Sequence, residues 1–174
     1  FALSPPVGCV ELTSMKVIPK ESSQRSPKKN GLGHTDEIAI YPESASLVKG
    51  DFLWRLSSAR IDQASPFSLF PNHDRVLMVL KGEGIKMIHT FEEGEPPEVV
   101  DLPRLNPYEF PGDVPSRCEL LGGSIVDFSI FIRTGEAAVE YQVVELEAGQ
   151  EFEWMAGGTW NFIYAIEGSV QSGQ

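Results

Sequence analysis

Few residues of this chain could carry chemistry: three histidines (His34, His73 and His89), two cysteines, and a handful of acids and arginines set among apolar stretches. The histidines show neither His-x-His nor His-x-x-x-His spacing, and Cys9 and Cys118 lie far apart, so no local metal-ligand motif is present. Distant ligands can still converge inside a barrel, and His34, His73, His89 and Glu37 form the one plausible set for that. No Ser-His-Asp order, phosphate loop or Cys-His pair is legible, and Gly82-x-Gly84 is a turn with no helix after it. Two arginines stand beside apolar runs, Arg55 within Phe52 to Leu56 and Arg75 immediately before Val76 to Leu80. An interior guanidinium must be paired, by an acid of the protein or an acid of a ligand. If the partner is a ligand, the chemistry is recognition of a small carboxylate.

The elements that would position them are strands. Sustained apolar spacing of three and four is absent, while short alternating or continuous apolar runs bounded by Gly, Pro and Asn recur. In Phe52-Leu53-Trp54-Arg55-Leu56-Ser57, Phe52, Trp54 and Leu56 share one face, and Leu53, Arg55 and Ser57 the other. Val76 to Leu80, the turn Lys81-Gly82-Glu83-Gly84 and Ile85 to Ile88 read as a hairpin, with Arg75 on the face of Leu77 and Val79. From Ile125 to Ile132 one face is wholly apolar (Val126, Phe128, Ile130, Ile132); Ile125, Asp127, Ser129 and Phe131 line the other, followed by Arg133. Val139 to Leu146 and Phe162 to Ile166 are the remaining expected strands, and the proline-rich region 90–124 holds short strands or a long connection. Such punctuation indicates an all-β antiparallel barrel or sandwich.

Val76-Leu77-Met78-Val79-Leu80-Lys81-Gly82 returns in pattern as Phe162-Ile163-Tyr164-Ala165-Ile166-Glu167-Gly168. This faint repeat, spanning 66–90 and 150–174, suggests a barrel built twice whose second half is incomplete. The start at Phe1 and the end at Gln174 both lead to the expectation of further chain on either side. The expected organisation is an N-terminal extension with first strands over 1–28 and one compact unit over 29–174.

Composition narrows the function classes. With 25 acidic against 14 basic residues the net charge is −11, which repels phosphate backbones, so no nucleic-acid partner is expected. The exception is a local basic cluster, Lys16, Lys20, Arg25, Lys28 and Lys29, read as a solvated loop or as a field drawing a small anion toward a pocket. No apolar run reaches the ~18 residues of a membrane span and no signal pattern opens the chain, so no membrane partner and a cytoplasmic location are expected. Sparse cysteine agrees with a reducing compartment and reduced thiols.

Several blocks resemble a known family. The strand-then-Gly pattern after Pro71-Asn72-His73-Asp74 is similar to the first cupin motif, in which His-x-His and a Glu precede a closing Gly. Anchoring that Gly on Gly82 puts the Glu slot at Arg75 and the His slots on Ser68 and Phe70, or on Leu69 and Pro71, so a cation site is exchanged for an anion site. More closely, Lys29-Asn30-Gly31-Leu32-Gly33-His34-Thr35 with Glu37-Ile38-Ala39 resembles the opening signature of the HutD/Ves family of cupin-like proteins. Phe52 to Ser57, Pro66-Phe67-Ser68-Leu69-Phe70-Pro71, Asp74-Arg75, Phe110-Pro111-Gly112-Asp113-Val114-Pro115 and Asp127-Phe128-Ser129 with Arg133 follow in the family's order, over about residues 29 to 170. Leu32, Asn72 and Ser129 depart from it, standing where the family has Gly, Gly and often Asn. The resemblance implies a cupin-like double-stranded β-helix without the metal triad, a link to bacterial histidine utilisation, and a small-acid ligand such as N-formylglutamate.

The expected ligand-binding set is Asn30, Thr35, Glu37, Trp54, Arg55, His73, Arg75, Asp127 and Ser129. Arg55 and Arg75 would neutralise carboxylates, Asn30, Thr35 and Ser129 would hydrogen-bond, and Trp54 would pack at the pocket wall. Glu37 is equally readable as the ion-pair partner of Arg55 or Arg75, Asp113 as a turn residue, and Arg133 as an exposed strand end. The expected protein is a regulatory small-molecule binder with no cofactor, with homodimer pairing through edge strands left open. The alternatives are a metal-dependent oxygenase or isomerase, a metal-free hydrolase or isomerase with Glu37 or Asp127 as general base, and a closed scaffold whose arginines Glu37 and Asp127 satisfy.

Overall fold

The computed structural model describes residues 16–19, 23–27, 34–153 and 157–169. Among the described residues ten strands are formed: β1 (Gln24–Pro27), β2 (His34–Tyr41), β3 (Trp54–Ile61), β4 (Ser65–Pro66), β5 (His73–Lys81), β6 (Gly84–His89), β7 (Glu98–Pro103), β8 (Tyr108–Pro111), β9 (Ser116–Leu120) and β10 (Ile125–Arg133). They build two antiparallel sheets, one in the order β1-β2-β3-β10-β5-β8 and one in the order β4-β9-β6-β7. The four strands at the sheet edges, β1, β8, β4 and β7, each carry a proline (Pro27, Pro111, Pro66, Pro103), and the six inner strands carry none. Proline lacks the N–H an inner ladder requires, so the sequence itself marks where each sheet stops.

All ten strands fall in one compact unit, Ile18–Tyr141; the other unit comprises Phe1–Val17 and Gln142–Gln174. Among its described residues no strand forms. The strands expected at Val139 to Leu146 and Phe162 to Ile166 are therefore corrected. Apolar content alone does not make a strand, which exists only where a neighbour takes up its N–H and C=O groups. No ladder forms along either segment, and Val143, Val144, Leu146, Phe162 and Ile163 are exposed. The 66–90 copy of the faint repeat thus forms strands, and the described part of the 150–174 copy does not.

The expected hairpin at 76–88 is a second correction. β5 pairs with β10 and β8, whereas β6 pairs with β7 and β9, so the turn carries the chain from one sheet to the other. Gly82 and Gly84 have φ of +97° and +122°. A Cβ on Gly84 would stand 2.5 Å from the Leu102 carbonyl oxygen, and one on Gly82 would stand 2.7 Å from Ile125 Cγ2. The corner closes only because neither residue has a side chain.

Between the sheets lies a core of Ile61, Leu77, Val79 and Ile125 with Ile85, Met87, Leu102 and Cys118, and Phe110 completes it. Each large apolar side chain removed from water contributes ~1.5–3 kcal/mol. On β10 the mixed face, not the wholly apolar one, is the deeper: Asp127 and Ser129 are buried, while Val126, Ile130 and Ile132 are half-buried. The interior therefore has an apolar end and a polar end, and the polar end is where the arginines stand.

Candidate functional site

Register places the polar residues in rows across the larger sheet. Arg55 of β3 is opposite Phe131 of β10, which is opposite Arg75 of β5, which is opposite Phe110 of β8. One step along, Glu37 of β2, Ser57, Ser129, Leu77 and Tyr108 form the next row, and Thr35, Ala59, Asp127 and Val79 the one beyond. Strand alternation keeps these rows on one face, so the face read from Arg55-x-Ser57 and Asp127-x-Ser129 is the interior one.

The two arginines differ in how they are satisfied. Arg55, 4% exposed, donates from Nε to Glu37 Oε2 at 2.8 Å and from Nη1 to Ser57 Oγ at 3.3 Å. Its charge is answered inside the protein. Arg75 donates from Nη2 to Ser129 Oγ at 3.0 Å, its Nε is buried with no hydrogen-bond partner, and no ion pair reaches it among the described residues. Three rings surround its Cζ instead, with centroids at 4.5 Å (Phe67), 4.8 Å (Phe131) and 5.5 Å (Phe110). Burial brings the guanidinium pKa down to about 10, with Asp127 pulling it up and Arg55 pushing it further down. Ring faces stabilise a cation but fill none of its directed N–H valences, so Arg75 holds an open donor toward the interior. Asp127 accepts from the Ala59 N–H at 3.0 Å.

The remaining expected residues are dispersed. Thr35 and Glu37 share the interior face, and Asn30 lies outside the described residues, as do Lys20, Lys28 and Lys29. Trp54 lies one step from Arg55, on the opposite face, and stacks on Tyr41 at 5.8 Å, so it forms no part of the wall around the arginines. His73 faces two backbone carbonyls, Pro71 O at 2.9 Å from Nδ1 and Phe52 O at 3.0 Å from Nε2, with Phe52 packed on its ring at 4.1 Å. It ties the start of β5 to the segment before β3 instead of presenting a nitrogen to a ligand. His34 is 3.6 Å from Asp36. With His89 held elsewhere and Glu37 on Arg55, the set His34, His73, His89 and Glu37 is not brought together, and no group of three or more His, Cys, Asp or Glu among the described residues could hold a metal ion.

Other residues resolve as follows. Asp113 is exposed in the turn after β8. Arg133, expected at an exposed strand end, is partly buried and donates to Gly50 O at 2.7 Å and Phe52 O at 3.2 Å. Asn72, standing in place of the family's Gly, has φ of +61°, a conformation Asn tolerates better than most side chains. Arg25 of the basic cluster is paired with Asp36 at 2.7 Å. The Cys118 thiol is buried and donates to Ser65 O at 3.6 Å.

Sequence reasoning missed the aromatic surround. Phe131 was signalled, since it lies two residues beyond Ser129 on the same face. Phe67 and Phe110 come from elements whose pairing no local pattern discloses. His89, read from the sequence only as a metal-ligand candidate, is instead wholly buried, with Nδ1 at 2.7 Å from Ser116 Oγ and Nε2 without a hydrogen-bond partner. Burial lowers its pKa, against a smaller opposing pull from Glu98.

Against known proteins, residues 20–174 match the HutD family model. An uncharacterized 21.2 kDa protein in the hutC 3′ region of Pseudomonas putida is 34% identical over 119 residues, covering 68% of this chain and 58% of that protein. The solved structure of HutD from Pseudomonas fluorescens SBW25, in a formate condition, superposes with a TM-score of 0.56 at 33% identity, covering 66% of this chain and 58% of that one. This chain therefore spans less than two thirds of either relative. The structure of FeII HppE is similar at a TM-score of 0.51 and 14% identity, covering 74% of this chain and 65% of that one, a likeness of fold alone. The fold is the cupin barrel.

Proposed function

The chain belongs to the HutD family of cupin-fold proteins, and from that premise we propose that its barrel binds a small carboxylate-bearing metabolite. The observation that carries this reading is Arg75: a buried guanidinium ringed by Phe67, Phe110 and Phe131, with an unfilled Nε–H and no protein carboxylate in contact. A carboxylate oxygen supplies the missing acceptor and the counter-charge together, and in a water-poor aromatic surround that exchange is worth far more than in solution. Arg55 is already spent on Glu37, so its part is to shape the row and raise the local potential. Ser129 holds the guanidinium plane from the far side of the contact.

The position of the P. putida relative in the hutC 3′ region supports a place in histidine utilisation, and we assign the chain a regulatory role as a binder of an acidic metabolite there. Calorimetric titration of formate and of N-formylglutamate into the wild type and Arg75→Ala tests the assignment. Saturable heat in the wild type and none in the variant is expected. Absence of heat in both, or equal binding by the variant, defeats it.

A further inference from the structure

The three rings around Arg75 are not equivalent. Phe110 is 6% exposed and Phe131 2% exposed, and each lies inside a strand, directly opposite Arg75 in the ladder. Phe67, whose ring is the nearest at 4.5 Å, is partly exposed and stands outside any strand. It begins the connection from β4 to β5. Its N–H donates to Ser116 O at 2.9 Å, and three residues on the Phe70 N–H donates to Gly112 O at 2.7 Å. Pro66 and Pro71 bracket the stretch and fix φ at both ends. The backbone is thus held on either side of the exposed pair Ser68 and Leu69, and the Phe67 side chain is what remains able to turn.

Arg75 is 6% exposed, and it lines neither the cavity beside Leu69 and His73 nor the one beside Glu145 and Gln150. An acid therefore reaches its open Nε–H only when part of the wall moves. Displacing Phe131 disturbs the ladders to both β3 and β5, and displacing Phe110 opens the core between the sheets. Turning Phe67 about its first side-chain torsion breaks one ring–guanidinium contact and some apolar packing, and it leaves every backbone hydrogen bond in place. That is the least costly way in.

We propose that Phe67 is the gate of the Arg75 site, its ring swinging aside to admit a small carboxylate and returning to seal the ion pair from water. This rests on the carboxylate reading above and adds to it the residue that controls access. With the ring closed, water is excluded and the bond between guanidinium and acid is strengthened. With the ring open, the Nε–H meets solvent and the acid can enter or leave.

The test follows hydrogen exchange of the Arg75 Nε–H by nitrogen NMR of the full chain, its resonance assigned by its loss in Arg75→Met. In the wild type without ligand this proton should be at least about tenfold less protected than the ladder amides of β10, because local opening exposes it and only wider unfolding exposes them. Phe67→Leu should speed its exchange about tenfold, as the loss of a desolvated ring–cation contact does, with the β10 amides unchanged. Saturating acetate should protect the proton in both proteins and should associate faster with the variant. A proton as protected as the β10 ladder in the wild type, an exchange unmoved by Phe67→Leu, or an acceleration that the β10 amides share overturns the gate while leaving the carboxylate receptor standing. If acetate protects Arg75 in neither protein, the receptor reading falls and the gate falls with it.

Discussion

Replacing Arg75 with methionine should make the protein more stable and unable to hold its ligand. The guanidinium pKa is brought down from its ordinary value to about 10, and each unit is worth about 1.4 kcal/mol of differential stability, so holding this charge in the interior costs ~3 kcal/mol. Methionine keeps the stem and offers sulfur to the same three rings, and it leaves only Ser129 Oγ without its donor, a loss of ~1 kcal/mol. The net gain, less the lost cation–ring attraction, is on the order of 1–2 kcal/mol, or a rise in Tm of about 3–8 °C. The sign with pH follows from the depressed pKa of a base. Between about 10 and the ordinary arginine value the unfolded chain binds more protons than the folded one, so wild-type stability rises with pH there, and the gap to Arg75→Met narrows only above about pH 10. Urea unfolding at pH 7 measures the gap. Saturating carboxylate should then reverse the ranking, because ligand at a hundredfold excess over Kd adds ~2.7 kcal/mol to the wild type alone. A variant destabilised by more than ~1 kcal/mol would show Arg75 to be a satisfied structural group and refute the reasoning.

Two further outcomes follow from the same accounting. Glu37→Gln strips the counter-charge from Arg55 and should lower stability by roughly 2–3 kcal/mol by urea unfolding, whereas the double variant Glu37→Gln with Arg55→Met should recover most of the loss. His89 has a lowered pKa from burial, so above its unfolded value near 6.5 its contribution is fully present, and it is lost as pH falls through that value toward the folded one. Unfolding midpoints measured from pH 7 to pH 5 should therefore drop more in the wild type than in His89→Phe, and parallel curves would contradict the burial of a neutral imidazole.

Much of the scaffold was legible because strand periodicity is local. Arg55-x-Ser57 and Asp127-x-Ser129 announce their shared face within three residues. What was not legible depends on pairing. Lys81-Gly82-Glu83-Gly84 looks like a hairpin because a tight glycine turn and a sheet-to-sheet corner have the same composition, and only the close approach of Leu102 and Ile125 distinguishes them. Phe162 to Ile166 has the composition of a strand and no ladder, since a strand is a property of two segments. Phe67 and Phe110 come from two separate stretches, and nothing in their spacing foretells that they meet around Arg75.

The contrast between the two arginines is what separates scaffold from site. Both stand beside apolar runs, both point inward, and both lie beside Phe131 in a single cross-strand row. A fold that needed only to bury cationic stems would satisfy each with a nearby acid, as it does for Arg55 through Glu37. At Arg75 the interior provides aromatic faces and one hydroxyl, which hold the guanidinium in place with no carboxylate in contact, and His89 is likewise held at one nitrogen and left open at the other. Two buried groups, each oriented by one hydrogen bond and lacking the next, lower stability with no structural return. At Arg75 that cost is intelligible if a bound acid completes the guanidinium.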